Sequence, residues 1–303
     1  MSQHKAYHST ILAAPAGLVW ATIRDFNALP AWHPSIEDSV IEDGRAADSV
    51  GCVRSFHLKD GAHIREKLLA LSDQEMRFTY DFQTTPIPAD NYKATMRVTP
   101  VTKGGRSFVE WWATFDCAPG KEAELIPLFR DGVFKTGLDA LPAKLAAQPL
   151  PLWPEGPPAK VFCSDVINAP PAAVWAVIRD FAGMGGWHED ITRMHMLDGR
   201  RSDEVSATRD FLFGEGRLHE QLTQLSDLDM SFTYRITTSP MPWVGYSAGA
   251  RLHHVVEGNR TLAVWTANWH AAPHDDLNLI PTVHEQVFQK AFDTLNARQF
   301  ANR

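Results

Sequence analysis

Ala14-Pro15-Ala16-Gly17-Leu18-Val19-Trp20-Ala21-Thr22-Ile23-Arg24-Asp25-Phe26 comes back 155 residues later as Ala169-Pro170-Pro171-Ala172-Ala173-Val174-Trp175-Ala176-Val177-Ile178-Arg179-Asp180-Phe181. A self-match of this length marks a unit written twice. Each copy places proline in the first helical turn, where the missing N–H costs nothing. Val19, Trp20, Ile23 and Phe26 then recur at helical spacing and define a face that must be buried.

The repeat sets a register for everything that follows. Trp32-His33 answers to Trp187-His188, and Asp43-Gly44-Arg45 to Asp198-Gly199-Arg200. Leu71-Ser72-Asp73 answers to Leu225-Ser226-Asp227 with one residue fewer between. The lost residue falls in the turn at Asp60-Gly61 or Gly214-Glu215-Gly216, where length changes are tolerated. The spacing predicts domains over 1–147 and 160–303, joined by a stiff segment over 148–159 that holds Pro149, Pro151, Pro154, Pro157 and Pro158.

Within the first copy, strands are expected over 4–13, 39–41, 50–56, 64–71, 76–82, 92–98 and 108–117. A long helix follows over 121–147, with Leu125, Phe129, Val133, Leu138 and Leu141 inward. The second copy ends in a helix over 276–301 carrying Ile280, Val283, Val287, Phe288, Ala291, Phe292 and Leu295. Short turns between consecutive strands imply one antiparallel sheet per copy. The terminal helix is the element long enough to cover one face of that sheet. The fold class is therefore α+β, and a strongly curved sheet around one helix leaves a cavity between them.

The 303 residues are 44% hydrophobic and 21% charged, with a net charge of −7, ordinary for a globular chain. Both halves are mildly acidic, so no nucleic-acid partner is expected. No apolar run reaches the length of a membrane span, and Met1-Ser2-Gln3-His4-Lys5 has no apolar signal core. Cys52, Cys117 and Cys163 form no CxxC pair and cannot all be bridged, which favours a reducing, cytoplasmic compartment. Gly245-Tyr246-Ser247-Ala248-Gly249 matches GxSxG, but the repeat puts it inside a strand. Thirteen histidines invite a metal reading, yet no spacing supplies three ligands, so no metal and no cofactor are expected.

The chain resembles a tandem of SRPBCC domains, the START-like, Bet v 1-like superfamily that includes polyketide cyclase/dehydrase-type proteins. The resemblance rests on Ala-Pro…Val-Trp…Asp-Phe, Trp-His, Asp-Gly-Arg, the Glu66 strand, Pro86-Ile87-Pro88…Tyr92 and Trp111, and it covers nearly all of both copies. It implies two helix-grip domains, each a curved sheet of about seven strands wrapped around a long C-terminal helix with two short helices. It also implies a deep, mostly apolar cavity for lipids, hormones or polyketides, with ring closure, dehydration or carbon–carbon bond changes catalysed without cofactor in some members. The layout is similar to that of di-domain aromatase/cyclases.

Period-two bookkeeping selects the cavity faces. Met76, Phe78, Tyr80 and Phe82 share one face, as do Val109, Trp111, Ala113 and Phe115. The second copy offers Met230, Phe232, Tyr234 and Ile236, with Ala263, Trp265, Ala267 and Trp269. Tyr80, Tyr92, Trp111, Phe115, Tyr234, Trp243, Tyr246, Trp265, Trp269 and Phe288 are the candidate ligand contacts, and simple core packing accounts for them equally well.

A turn centred on Asp60 places Arg54 opposite Glu66, and a two-residue turn at Gly214-Glu215 places Arg209 opposite Glu220. Such pairs are either satisfied structural ion pairs or poised acid–base and acid-binding groups. His33 and His188, expected near the cavity mouth, are candidate proton shuttles or solvent-facing neighbours of a tryptophan plug. The second copy has Trp243 for Ala89 and His270 for Asp116, and this richer set favours it as the working site.

Two functions follow. One is a cofactor-independent enzyme of cyclase, dehydratase or lyase type on an aromatic or polycyclic molecule. Arg54 and Arg209 would hold an acidic group, while Glu66, Glu220, His33 and His188 move protons. The other is a carrier of a hydrophobic ligand; an interaction scaffold with self-filled pockets is a third. A homodimer is compatible with either function.

Overall fold

The computed structural model describes residues 3–145 and 159–301, so the expected 148–159 segment lies, but for Ala159, outside the described residues. The chain divides into two compact units, each built on its own seven-stranded antiparallel sheet.

In the first unit β1 (His4–Leu12) leads into a helix at Ala16–Ile23 and a short one at Leu29–Trp32. A meander follows through β2 (Ile36–Ile41), β3 (Val53–Leu58), β4 (His63–Ser72), β5 (Arg77–Thr84), β6 (Asp90–Val101) and β7 (Arg106–Asp116). The sheet order is β1-β7-β6-β5-β4-β3-β2, and the terminal helix over 122–145 packs on β1 and β7. The edge strand β2 and its neighbour β3 run over 36–41 and 53–58 against the expected 39–41 and 50–56; part of each is exposed, so alternation marks their ends poorly.

The second unit repeats the plan. It comprises β8 (Val161–Ile167), a helix at Pro171–Ile178, β9 (Ile191–Met196), β10 (Thr208–Phe213), β11 (Gly216–Ser226), β12 (Ser231–Thr238), β13 (Val244–Val255) and β14 (Arg260–His270). Its second short helix is a single 3₁₀ turn at Gly183–Gly186. The GxSxG segment lies within β13, not at a strand-to-helix turn.

The repeated Ala-Pro…Asp-Phe stretch is scaffold. Val19, Trp20, Ile23 and Phe26 are all buried, and Trp20 and Phe26 pack on Phe78. Burial of each such side chain contributes about 1.5–3 kcal/mol. Trp20 Nε1–H donates to Asp73 at 2.9 Å, and Arg24 grips the same carboxylate at 2.6 and 2.9 Å. Trp175, Arg179 and Asp227 repeat this clamp at 2.8, 2.6 and 2.8 Å. That contact explains why Leu-Ser-Asp recurs beside Trp…Arg.

Each terminal helix has a wide central turn, Leu128–Lys135 in one unit and Thr282–Gln289 in the other, where backbone bonds reach one residue further than in an α-helix. The buried stripe steps accordingly from Phe129 to Phe134 and from Val283 to Phe288. Regular α spacing misses this phase shift, so Ile280, expected inward, is 37% exposed and Leu279 is buried in its place. Among the described residues no helix is long and apolar enough to cross a membrane.

Candidate ligand cavities and their buried Arg–Glu pairs

The antiparallel register puts Arg54 of β3 directly opposite Glu66 of β4, and Arg209 of β10 opposite Glu220 of β11. All four side chains are buried. Arg54 Nε and Nη2 both reach Glu66 Oε2, at 2.7 and 2.5 Å, and Nη1 donates to the Phe26 carbonyl at 2.8 Å. The guanidinium lies over the rings of Phe26 (3.9 Å) and Tyr80 (4.9 Å). Arg209 is held the same way, by Glu220 Oε2, the Phe181 carbonyl and the Phe181 ring.

These contacts commit each arginine to the protein. They also use a single oxygen of each glutamate. Among the described residues the hydrogen bonds of Glu66 and Glu220 all go to Oε2 and none to Oε1, and both residues line cavities. Burial pulls the Glu66 carboxyl above the usual carboxylate range, and the neighbouring Arg54 charge only partly opposes it. Glu220 is raised by burial in the same way against Arg209.

The first cavity encloses about 450 Å³. Arg54, Glu66, His33, Tyr80, Tyr92 and Trp111 line it, together with aliphatic side chains, phenylalanines and the polar Ser35, Lys59 and Asp60. Trp111 Nε1–H donates to Tyr80 Oη at 3.0 Å, and Tyr92 stacks on Phe82 at 3.8 Å. Burial raises both tyrosine hydroxyls, so they stay protonated as hydrogen-bond donors. Phe115, expected on this wall, packs behind it against Phe129.

The second cavity is smaller, about 270 Å³. Glu220, Tyr234, Trp243 and Tyr246 line it, whereas Arg209, His188, Trp265, Trp269 and Phe288 do not. Met184 covers Arg209, its sulfur 3.7 Å from Nη2, where the first unit has Leu29. Met241 and Trp243 stand where the first unit has Ile87 and Ala89. Trp243 packs against Tyr246 (4.7 Å) and Trp269 (5.9 Å), and Trp265 stacks on Phe288 (5.0 Å). The richer aromatic set of the second copy thus fills space, and the larger cavity belongs to the first.

His33 and His188 are straps. The backbone N–H of Ser35 donates to His33 Nδ1 at 3.2 Å, which leaves Nε2–H to donate to the Val133 carbonyl at 3.1 Å. His188 makes the matching bonds with Asp190 and Val287 at 3.3 and 3.2 Å. Both carbonyls lie in the wide turns of the terminal helices. Both imidazoles are buried, and burial lowers their pKa, so they stay neutral with both nitrogens engaged. Both rings, expected at an open mouth, hold the terminal helix of their unit. Gly137 permits it, since a Cβ there would sit 2.6 Å from His33 Cδ2 and 3.0 Å from Trp111 Cζ3. Sequence reading missed this hold, because its partner is a backbone carbonyl 100 residues away.

A model of the family described as polyketide cyclase/dehydrase and lipid transport matches residues 3–146 and again 159–299. A solved structure of an uncharacterised protein from Bacillus thuringiensis is similar at 31% identity, over 47% of this chain and 99% of its own, with a TM-score of 0.43. The di-domain ARO/CYC BexL from the BE-7585A biosynthetic pathway is similar over 99% of both chains at 11% identity, with a TM-score of 0.41. Norcoclaurine synthase from Thalictrum flavum, in complex with dopamine and hydroxybenzaldehyde, is similar at 16% identity over 49% of this chain and 89% of its own, with a TM-score of 0.42. No curated protein matches. With both copies matched over nearly their whole length, the chain belongs to the polyketide cyclase/dehydrase and lipid transport family and carries its domain twice.

Proposed function

We propose that the first unit binds a small aromatic molecule bearing a hydroxyl or amine and acts on it by cofactor-independent acid–base chemistry. One observation carries this reading. Glu66 has one carboxylate oxygen fixed by Arg54 and the other unpaired within a 450 Å³ aromatic cavity. An anchored carboxylate is oriented without rotamer loss, and its raised pKa makes it a better proton acceptor than a surface glutamate. Tyr80 and Tyr92 stay protonated and hydrogen-bond each other, and the pair would turn a donor to a substrate oxygen as charge develops there. Arg54 and His33 are positioning residues, one fixing Glu66 and the other fixing the helix that closes the cavity. Ring closure, loss of water and loss of a small fragment all need one base and one or two oxygen-directed donors, and this site offers that set.

Carriage of an unaltered hydrophobic ligand is the second reading. The second unit favours it, since its cavity keeps Glu220 and two tyrosines yet gives up volume to Met241 and Trp243. Native mass spectrometry of the purified chain, followed by incubation of any released ligand with fresh protein, separates the two. A ligand whose mass or isomeric form changes on incubation, with the change lost in Glu66→Gln, supports the enzyme. A ligand returned unchanged supports the carrier.

A further inference from the structure

The geometry points to a transition-metal site in the first unit, outside the cavity lining, formed by His4, Cys117 and Glu122 and suited to zinc. Among the described residues these form one group of three whose ligand atoms all lie within 4.8 Å of one another. His4 opens β1, Cys117 follows the last residue of β7, and Glu122 begins the terminal helix. The start of β1 therefore meets, at one corner, the short connection between β7 and the terminal helix. Cys117 is buried and the other two are half-buried.

Two further observations point to a cation. Glu122 Oε2 is buried with no hydrogen-bond partner, an arrangement that costs free energy unless a positive charge meets it. The second unit then shows how the same corner is closed where the ligands are missing. There the repeat puts Ala159 for His4, Ala271 for Cys117 and Asp276 for Glu122. Asp276 is satisfied on both oxygens, by Lys160 Nζ at 2.7 Å and by Trp269 Nε1 at 2.8 Å. The first unit has Phe115 in place of that tryptophan, and the Phe115 ring packs against His4. One copy thus closes the corner with an ion pair, and the other assembles thiol, imidazole and carboxylate around an unmet charge.

The donor set fits zinc, which accepts sulfur, nitrogen and oxygen in a tetrahedral shell with solvent in a remaining position. Ligand atoms in such a shell sit roughly 3.5 Å apart, so small side-chain rotations close this group onto an ion. Binding would release the Cys117 thiol proton to solvent. Thiolate, carboxylate and Zn²⁺ then sum to zero charge, which suits a half-buried corner. The ion would pin the start of β1 and the start of the terminal helix to the end of β7.

The test uses the full chain, stripped with chelator and titrated with Co²⁺ and Zn²⁺. One equivalent of Co²⁺ is expected to give a thiolate-to-cobalt charge-transfer band that Zn²⁺ abolishes. Cys117→Ser should remove the band, while His4→Ala and Glu122→Gln should weaken binding at least tenfold. Cys52→Ser and Cys163→Ser should leave it unchanged. Zn²⁺ should raise the thermal midpoint of wild type and not of Cys117→Ser. No band with wild-type protein, or a band that survives Cys117→Ser, overturns the site.

Discussion

Replacing Arg54 by methionine removes a guanidinium that makes two hydrogen bonds and a further ion-pair contact with Glu66 and lies over three rings, with both charged side chains buried. The side chain lost is 3% exposed and the carboxylate left behind 6% exposed. Breaking one partner of such a pair costs about 3–5 kcal/mol, because an unmatched buried charge remains. That is a large fraction of a typical domain stability of about 5–15 kcal/mol. The cost depends on pH with a definite sign. Glu66 already has a folded pKa above its unfolded value, through burial. Without Arg54 the shift grows, so the protonated form is the one the folded state favours. Stability is retained below the unfolded carboxyl pKa and is lost as pH rises through the folded one. Urea unfolding followed by tryptophan fluorescence at pH 5 and pH 8 should therefore show a larger deficit for Arg54→Met at pH 8. The double variant Arg54→Met/Glu66→Gln should recover most of that loss, since no charge is then left unpaired. A deficit under about 1 kcal/mol at pH 8, or a double variant no better than the single, refutes the assignment of Glu66 as a buried charge held by Arg54.

Two further outcomes are expected. Gly137→Ala should destabilise the first unit by about 2–4 kcal/mol, combining overpacking against His33 and Trp111 with loss of the His33–Val133 bond; chemical denaturation measures it, and a change under about 1 kcal/mol would show that the strap is slack. Arg179 and Trp175 hold the Asp227 carboxyl down to about 2. This depressed folded pKa contributes stability above the unfolded value and loses it as pH falls through about 2, so Asp227→Asn should be less stable than wild type at pH 7, with the gap narrowing in acid. An equal gap at pH 7 and pH 2, read by thermal melts, would assign the clamp to shape instead of charge.

The repeat made much of this legible. Two copies constrain one register, and the lost residue between Arg209 and Glu220 pinned both turns, so the two cross-strand pairs could be read from residue numbers alone. Alternation also separated the buried faces of β5 and β7 correctly. Which aromatics touch the cavity was not legible, because strand parity gives a side and not a depth. Trp111 lines the first cavity and Trp265, at the matching place, does not line the second, although each stacks on the matching phenylalanine, Phe134 or Phe288. The size order of the cavities was hidden for the same reason, as it turns on how Met241 and Trp243 fold inward. The histidine strap needs a carbonyl exposed by a wide helical turn, a backbone feature with no residue code of its own. His4, Cys117 and Glu122 escaped a search by spacing because the pairing of β1 with β7, not the spacing, brings His4 to the other two.

The central claim is that Glu66 presents a raised, unpaired carboxylate oxygen to the first cavity. Carbon-13 NMR of the glutamate side-chain carboxyls, titrated with and without 2-naphthol as a probe, tests it most directly. The account predicts a resonance, absent in Glu66→Gln, that titrates above the ordinary carboxylate range and moves when the probe binds. A Glu66 resonance that titrates like a surface glutamate, or that the bound probe leaves unmoved, would contradict it.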